Sequence, residues 1–401
     1  MTTPQKCAND GKAREAWQAR SRSVSHMKTM PAPLALLRSL LCGGTCFMAG
    51  VLALGLFLAG GCATKQTAAP KKYVFFPGTP DPPRLQYLVS YSSERDLGGA
   101  NSGFFDFVTG QKPVDKPIIK PYGLALRNGK LYVCDSGNES VLVLDIEKRH
   151  LDVLPMPEDT PLGEPVNIDV EADGTHYIVD DKRDQVLCLD ASNQLKSVIG
   201  LKDEMRPRDV AVSGDRLYVA DLKGHCVRVY DKETQKPLFT IPNEKDARNS
   251  GTLLLAPSNI AIDPKGQLYA SDIAAGRVQV YDKAGNYVRT IGGFGDEPQH
   301  GLLKRPKGVA VDHDGIVYVV DNVYQLVQMF DDQGHYLMCF GYPGSGNPAG
   351  MTLPVKVMVD YDNVKLFEQY ASPHFKIEYL VVVSNQFGAR KVAVYGFGHE
   401  R

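Results

Sequence analysis

Residues 256–292 read APSNIAIDPKGQLYASDIAAGRVQVYDKAGNYVRTIG, and residues 305–341 read RPKGVAVDHDGIVYVVDNVYQLVQMFDDQGHYLMCFG. The two stretches are copies of one unit. Each contains four short apolar runs, separated by turns rich in Asp and Gly. Apolar residues that alternate with a period of two between such turns predict antiparallel hairpins. A recurring unit of four strands is typical of a propeller blade.

Three further copies share two sequence features with this pair, and a sixth copy shares the first of them. One feature is a proline that opens the first strand, and the other is a pair of aspartates at a constant spacing. The prolines are Pro121, Pro165, Pro207, Pro257, Pro306 and Pro354, and the aspartate pairs are Asp135/Asp145, Asp180/Asp190, Asp221/Asp231, Asp272/Asp282 and Asp321/Asp331. The sixth copy is degenerate and lacks its fourth strand. The sequence therefore predicts an all-β fold with six blades.

A strand near the N-terminus supplies the strand that the sixth copy lacks. Residues 84–92 alternate like a strand but are followed by a polar loop and not by a hairpin partner. If they pair with residues 391–397, they complete the sixth blade and close the ring, which protects strand edges from other chains. We therefore predict a propeller over 84–401, a proline-rich tether over 62–83, and an N-terminal extension with a signal peptide over 1–61.

The repeat motif resembles the NHL repeat. It is clearest in the fifth copy, which reads Pro306-Lys307-Gly308-Val309-Ala310-Val311, then Tyr318-Val319-Val320-Asp321, then Met329-Phe330-Asp331. The resemblance covers nearly all of the mature chain and implies a six-bladed NHL-type β-propeller. It implies no single activity, because NHL propellers include scaffolds, RNA binders and lyases.

An apolar segment without charged side chains precedes the propeller. Residues 39–61 follow Arg38 and end as Leu58-Ala59-Gly60-Gly61 before Cys62, which resembles a bacterial lipobox. The motif usually has Leu where this chain has Ala59. The resemblance implies that Cys62 carries acyl chains, which make a stable membrane anchor. An alternative is a transmembrane anchor, since about 20 apolar residues span a bilayer.

The residue after Cys62 bears on the destination of the protein. Ala63 stands where many lipoproteins of the inner membrane have aspartate, so we expect an outer-membrane lipoprotein of a bacterial envelope that faces the periplasm or the cell surface. Met1, Met27 and Met30 are alternative translation starts.

Composition excludes several classes of site. The 45 basic and 46 acidic side chains are balanced, so the sequence does not predict a nucleic-acid partner. The eight cysteines have no CxxC or CxxCH spacing, which leaves zinc, iron–sulfur and attached haem without support. We expect the four cysteines of the repeats to be small buried side chains and not disulfides, and the propeller to be a monomer. These four are Cys134, Cys188, Cys226 and Cys339.

The residue two positions after each opening proline should line the central channel, on the face that carries the links between blades. In chain order this residue is Gly123, Asn167, Asp209, Asn259, Gly308 and Lys356. Asn167, Asp209 and Asn259 would thus direct oxygen donors of the kind that Ca²⁺ binds towards one point. The simpler interpretation is that glycine here has a left-handed backbone, which Asn and Asp tolerate best among other residues.

Resemblance to gluconolactonase-type propellers implies a divalent ion held by Asn and Asp at the channel mouth. That pattern also requires a glutamate in the first blade and a catalytic aspartate, and neither occurs at an aligned position. We therefore predict no cofactor, with calcium as the alternative. Arg208, Lys307 and Lys356 should lie across the mouth, either as an anion-binding rim or paired with Asp209.

The first aspartate of each pair recurs in five copies, which indicates a structural role. One active site does not need five copies, whereas every blade needs the amides of its turn capped. We expect a non-enzymatic binding module whose link-bearing side contacts an envelope protein or complex. The alternative function is a divalent-metal-dependent lactonase or esterase-like hydrolase with its site at the channel mouth.

Overall fold

A computed structural model of the chain describes residues 72–98, 116–201, 203–297 and 299–401. These residues form β-sheets with little helix, and the sheets are the six blades that the repeats predict. The first strands of neighbouring blades lie side by side and close into a ring around a central channel. The fold is an all-β, six-bladed propeller, as predicted.

The first five blades are four-stranded antiparallel sheets whose strand order follows the chain. Two strands precede them, β1 (Val74–Phe76) and β2 (Leu85–Tyr91). Blade one contains β3 (Pro121–Arg127), β4 (Lys130–Asp135), β5 (Ser140–Asp145) and β6 (His150–Val153). Blade two contains β7 (Pro165–Val170), β8 (His176–Asp180), β9 (Gln185–Leu189) and β10 (Leu195–Ile199). Blade three contains β11 (Pro207–Ser213), β12 (Arg216–Asp221), β13 (Cys226–Asp231) and β14 (Pro237–Ile241).

The next two blades repeat the same order. Blade four contains β15 (Pro257–Ile262), β16 (Leu268–Asp272), β17 (Arg277–Tyr281) and β18 (Tyr287–Ile291). Blade five contains β19 (Pro306–Val311), β20 (Val317–Asp321), β21 (Leu326–Phe330) and β22 (Tyr336–Phe340). A short parallel pair, β23 (Tyr342–Pro343) and β24 (Gly350–Met351), lies in the link to the sixth blade.

The sixth blade joins the two ends of the propeller. Its strands are β25 (Pro354–Asp360), β26 (Phe375–Asn385) and β27 (Val392–Glu400), followed across the sheet by β2 and β1. β2 pairs antiparallel with β27, from Leu85 opposite Phe397 to Tyr91 opposite Val392. This pairing confirms the predicted closure by the N-terminal strand.

The structure differs from the predicted tether at residues 74–76, where β1 adds a fifth strand to the sixth blade. Aromatic side chains explain the difference. Phe76 is buried, and its ring centroid lies 6.2 Å from that of Phe340 and 6.3 Å from that of Tyr395. The burial of this apolar ring favours an ordered strand despite the surrounding prolines.

The recurring aspartates cap the turns, as the sequence predicts. Asp135, Asp180, Asp221, Asp272 and Asp321 are fully buried and accept backbone N–H groups of the turn after the second strand. Each also accepts N–H groups from the link that enters its blade. Asp135, for example, accepts from the amides of Ile119 at 2.7 Å and Lys120 at 2.8 Å. One carboxylate thus fastens each link to a turn.

Apolar clusters fill the spaces between neighbouring blades. Val179 and Val186 of blade two, for example, belong to the same cluster as Val210 and Val219 of blade three. Strands such as β8 are therefore buried on both faces, which agrees with their nearly continuous apolar sequence. Packing of this kind needs a neighbour on each side, so the ring is the unit of stability.

The few helices lie in connections. α1 (Glu244–Ala247) lies between blades three and four, and α2 (Val364–Phe367) leads into a 3₁₀ turn (Glu368–Tyr370) between β25 and β26. Another 3₁₀ turn (Glu94–Leu97) follows β2. None of the helices in the described ranges has the length and hydropathy to cross a membrane.

The four cysteines of the repeats are free, as predicted. Cys134 and Cys188 are buried, whereas Cys226 and Cys339 are half-buried. Cys62 and the apolar segment before it lie outside the described residues, so the lipidation site remains a prediction.

Candidate functional site

The candidate residues lie where each first strand begins. In all six blades the pairing of the first strand with the second shifts in register just after the opening proline. Such bulges redirect the side chains beside them. The bulges lie next to the residues that the repeat alignment places at the channel.

The predicted left-handed backbone at these positions is wrong, because none of them has a positive φ. Close packing of neighbouring first strands requires glycine instead. A Cβ atom on Gly308 would lie 2.7 Å from the backbone nitrogen of Val357, and one on Gly123 would lie 2.4 Å from Oδ1 of Asn167. Asn and Asp in the other blades therefore mark places where the strands leave room for a side chain.

Three blades meet at Asp209, which is fully buried. Its Oδ2 accepts from Nζ of Lys356 at 2.6 Å, from Nδ2 of Asn259 at 3.1 Å and from the backbone nitrogen of Ile260 at 2.9 Å. Its Oδ1 accepts from the backbone nitrogen of Val210 at 2.9 Å. We call Asp209, Asn259 and Lys356 the Asp209 layer. This layer is a buried ion pair that links blades three, four and six.

Asn167 does not join the Asp209 layer. Its Nδ2 donates to the carbonyl oxygen of Arg208 at 2.9 Å, and its buried Oδ1 has no hydrogen-bond partner among the described residues. The three oxygen donors predicted to converge are therefore separated, and only two of them are in contact.

The residues at the preceding position in blades one, three and five form a second layer around Tyr122. Nζ of Lys307 donates to the Tyr122 hydroxyl and lies 4.8 Å from the centroid of the ring. Nη2 of Arg208 lies 3.5 Å from the same hydroxyl, while its Nη1 lies 2.6 Å from Oδ2 of Asp181. We call Tyr122, Arg208 and Lys307 the Tyr122 layer. The two cations thus have partners within the protein.

The electrostatics of Tyr122 follow from this arrangement. Burial by itself raises the pKa of a tyrosine, but the positive charges of Lys307 and Arg208 favour the phenolate. The net effect is a pKa of Tyr122 below its ordinary value. Asp181 behaves similarly: burial opposes ionisation, but hydrogen bonds and charge from Arg206 and Arg208 lower its pKa.

Two serines connect the layers and were not singled out from the sequence. Oγ of Ser271 accepts from the backbone nitrogen of Asn259 at 2.9 Å and donates to the carbonyl oxygen of Lys307 at 2.5 Å. Oγ of Ser384 donates to the carbonyl oxygen of Tyr122 at 2.5 Å. Both occupy second-strand positions that are apolar in the other blades. The replacement of an apolar residue by serine could have indicated these contacts from the sequence. The additional carboxylate of Asp181 could likewise have indicated a partner for a cation.

The residues of the Asp209 layer do not fit a divalent cation. The ammonium group of Lys356 already neutralises Oδ2 of Asp209, and Asp209 is the only carboxylate in the layer. No group of three or more His, Cys, Asp or Glu side chains with metal-ligand geometry occurs in the described part of the chain. Hard cations prefer several oxygen ligands, whereas here the cation is a lysine.

Beyond the Asp209 layer the channel widens into a cavity of about 370 Å³, which reaches the opposite face. Asp169 lies in its wall and accepts from the backbone nitrogens of Val170 and Val212, each at 2.8 Å. Burial raises the pKa of Asp169, although these amides favour its charged form. The sequence did not indicate this cavity, because its wall consists of ordinary strand residues.

Comparison with known proteins agrees with the fold. The family model described as NHL repeat matches residues 205–230, in the third blade. No curated protein matches the chain.

Several solved structures have the same fold at low sequence identity. A protein of unknown function from Bacteroides thetaiotaomicron has a TM-score of 0.53 at 14% identity, with 78% of this chain and 75% of that chain covered. A gluconolactonase from Xanthomonas campestris has a TM-score of 0.51 at 16% identity, with 82% and 98% covered. An auxiliary nutrient binding protein from Bacteroides thetaiotaomicron has a TM-score of 0.50 at 17% identity, with 70% and 69% covered.

At these identities the solved structures indicate the fold and not the activity. The chain therefore carries an NHL repeat on a six-bladed β-propeller.

Proposed function

We propose that the chain is a non-enzymatic binding module, anchored in a bacterial envelope through Cys62, that recognises an envelope protein or complex. The proposed recognition surface is the link-bearing face, which carries the links between blades and the turns between second and third strands. Support for the anchor comes from the sequence alone. Support for the surface comes from the distribution of exposed apolar side chains.

Exposed apolar side chains concentrate on the link-bearing face, and this observation carries the proposal. Seven large apolar residues of its links and turns are exposed: Ile119, Leu201, Leu255, Phe294, Val323, Tyr342 and Phe387. We call these the apolar link residues. The other exposed large apolar residues of the described ranges lie on the outermost strands of blades, one or two to a strand, where scattered exposure is ordinary.

Basic side chains accompany two of the aromatic apolar link residues. Nζ of Lys304 lies 4.7 Å from the ring centroid of Phe294, and Nζ of Lys391 lies 6.0 Å from that of Phe387. Aromatic anchors surrounded by polar groups are typical of protein–protein interfaces. The face therefore suits a protein partner better than a small molecule.

The hydrolase alternative has less support from the geometry. Its site was expected at the channel mouth, where the Tyr122 and Asp209 layers fill the entrance with paired charges. A metal-dependent hydrolase needs a carboxylate that is free to bind the ion, and Asp209 is engaged by Lys356. The similarity to a gluconolactonase extends to the fold.

Capture experiments with matched variants test the binding surface. We expect Leu255→Asp to weaken capture of the partner from solubilised envelopes, because it places a charge among the apolar link residues. Leu337→Asp is the control: Leu337 is 47% exposed and Leu255 is 46% exposed, but Leu337 lies on the outermost strand of blade five. Equal capture by the two variants would contradict the proposed surface.

A further inference from the structure

The cavity inside the channel has the size of a ligand site. Its volume of about 370 Å³ lies within the range of about 300–1,000 Å³ that is typical of small-molecule sites. The first strands of all six blades form its wall. It begins at Lys356 of the Asp209 layer and ends beside His313 and Tyr361, which lie just beyond the ends of β19 and β25.

One ring of six side chains lines this cavity. Its members lie two residues further along each first strand than the predicted channel positions, and side chains at this spacing share a face of a strand. In chain order they are Ala125, Asp169, Ala211, Ala261, Ala310 and Met358. We call this set the Asp169 ring. Its four alanines leave the channel wide, and Asp169 is its only charged member.

Asp169 and Asp209 have equivalent backbone contacts, one ring apart. Each carboxylate accepts from the amide of the residue that follows it and from an amide of the next blade. All four of these hydrogen bonds are 2.8 or 2.9 Å long. The two aspartates therefore allow a direct comparison within one molecule.

The two carboxylates differ in their counter-ions. Nζ of Lys356 lies 2.6 Å from Oδ2 of Asp209, whereas Asp169 forms no ion pair with any described residue. Asp209 is fully buried, but Asp169 is partly exposed at the cavity wall. Burial raises the pKa of Asp169, although its amides and the charge of Lys356 favour the carboxylate. The protein thus supplies an ammonium group to one carboxylate and none to the other.

The other charged groups of the wall favour a cation. The basic groups are engaged, because Lys356 pairs with Asp209, and Nη1 of Arg127 lies 3.5 Å from Oδ2 of Asp362. Asp360 also lines the cavity and forms no ion pair within the described ranges. The wall therefore carries an excess of negative charge, which disfavours an anion.

The surroundings of Asp169 define the rest of the ligand. The other members of the Asp169 ring offer methyl groups and the thioether of Met358. At the end of the cavity the rings of His313 and Tyr361 stack, with their centroids 3.8 Å apart. A single carboxylate beside C–H surface suits one ammonium group on a short apolar body. A hard divalent cation would need several oxygen ligands.

We infer that this cavity binds a small primary amine in its ammonium form, with Asp169 as the counter-ion. The ammonium group has the same relation to Asp169 that Lys356 has to Asp209. This inference does not depend on the link-bearing face, which lies at the other end of the channel.

Calorimetry on the full chain, in a non-ionic detergent and an amine-free buffer at pH 7, tests the inference. The probe is n-butylamine, and butan-1-ol and butyrate are its uncharged and anionic counterparts of the same length. We expect saturable binding of n-butylamine and none of the other two. Nα-acetyl-lysine methylamide distinguishes a free amine from a lysine side chain of another protein, and K⁺ distinguishes an amine from a metal ion.

Two variants change the Asp169 ring in different ways. Asp169→Ala introduces the residue of four other blades and should weaken binding of n-butylamine by about tenfold or more, because it removes the charged partner. Ala261→Met keeps Asp169 but fills part of the cavity, and Met358 shows that the ring accommodates methionine. It should also weaken binding by about tenfold, and it decides the test if Asp169→Ala does not fold.

Glu233→Gln is the control, because Glu233 is exposed in the turn between β13 and β14 and lies outside the cavity. It should leave the affinity unchanged. The inference is overturned if n-butylamine does not bind saturably, if butan-1-ol or butyrate binds as tightly, or if the folded ring variants bind as well as the wild type. Tighter binding of K⁺, or binding of the lysine derivative alone, would also overturn it.

Discussion

At the residue scale, the buried ion pair between Asp209 and Lys356 is the main polar contact across the central channel. Both side chains are buried, and Lys356 comes from the blade that the repeat pattern describes least well. A buried ion pair contributes little net stability compared with a well-packed apolar pair, but the loss of one partner leaves an uncompensated charge. The pair therefore restricts substitution at either position.

We expect Asp209→Asn to lower the free energy of unfolding by about 3–5 kcal/mol, because Lys356 would remain buried without its counter-ion. Chemical denaturation measures this change. The double variant Asp209→Asn/Lys356→Met should recover most of the loss. Glu244→Gln is the control, since Glu244 forms an exposed pair with Arg248 and such pairs contribute at most about 1 kcal/mol. A double variant no more stable than Asp209→Asn would contradict the assignment.

Tyr122 should be the first of the buried tyrosines to ionise as the pH rises. Its pKa is lowered, whereas burial raises the pKa of neighbours such as Tyr132 and Tyr230. At pH values between the lowered pKa of Tyr122 in the folded state and its ordinary pKa in the unfolded state, the unfolded chain binds more protons at this residue than the folded chain does. Its contribution to stability is therefore complete above the unfolded pKa and is lost as the pH falls through the folded one.

The ultraviolet absorbance of tyrosinate measures this order of ionisation. Tyr122→Phe should remove the earliest step of the titration, and Lys307→Met should move that step to higher pH. If the earliest step persists in Tyr122→Phe, another tyrosine is responsible.

At the element scale, closure of the ring depends on β2. The strand lies between β1 and β27, and Leu85 at its start is fully buried. Strand pairing alone is weak without an apolar face to bury. The anchoring of β2 therefore resides mainly in side chains such as Leu85 and Tyr91.

We expect Leu85→Ala to destabilise the propeller by about 2–5 kcal/mol, because it opens a cavity next to the closing sheet. Thermal unfolding provides the measurement. Val74→Ala, in the edge strand β1, is the control and should have a smaller effect because Val74 is only partly buried. If the two changes were equally destabilising, β2 would not be the principal closing strand.

At the scale of the whole molecule, the link-bearing face, the central channel and the opposite face of the propeller carry different kinds of side chain. The link-bearing face carries the apolar link residues, the two layers fill the channel entrance on that face, and the cavity beside Asp169 opens towards the opposite face. The apolar surface proposed for a partner is thus separate from the polar interior of the channel.

The proposed lipid anchor at Cys62 implies that the protein is attached to a membrane. We expect Cys62→Ala to release the protein from membranes, because the acyl chains are the proposed anchor. Fractionation of the envelope with immunodetection measures this. Integral attachment of the variant would support the alternative of a transmembrane segment, and Cys7→Ala is a control that should stay on the membrane.

The sequence by itself determined the number of blades, the closing strand and the function of the recurring aspartates. These depend on period-two patterning and on turn chemistry, which act between residues close in the chain. It also identified the positions of the channel ring, since the repeats place equivalent residues at equivalent sites.

Only the tertiary structure decided what those residues contact. Asp209 pairs with a lysine from another blade, and Asn167 contacts the backbone of Arg208 and not Asp209 or Asn259. The close approach of first strands, and not a left-handed backbone, requires Gly123 and Gly308. Such contacts join residues far apart in sequence, and their geometry depends on how the blades pack. Hydrogen bonds and ion pairs act over a few ångströms, so a pattern along the chain does not determine them.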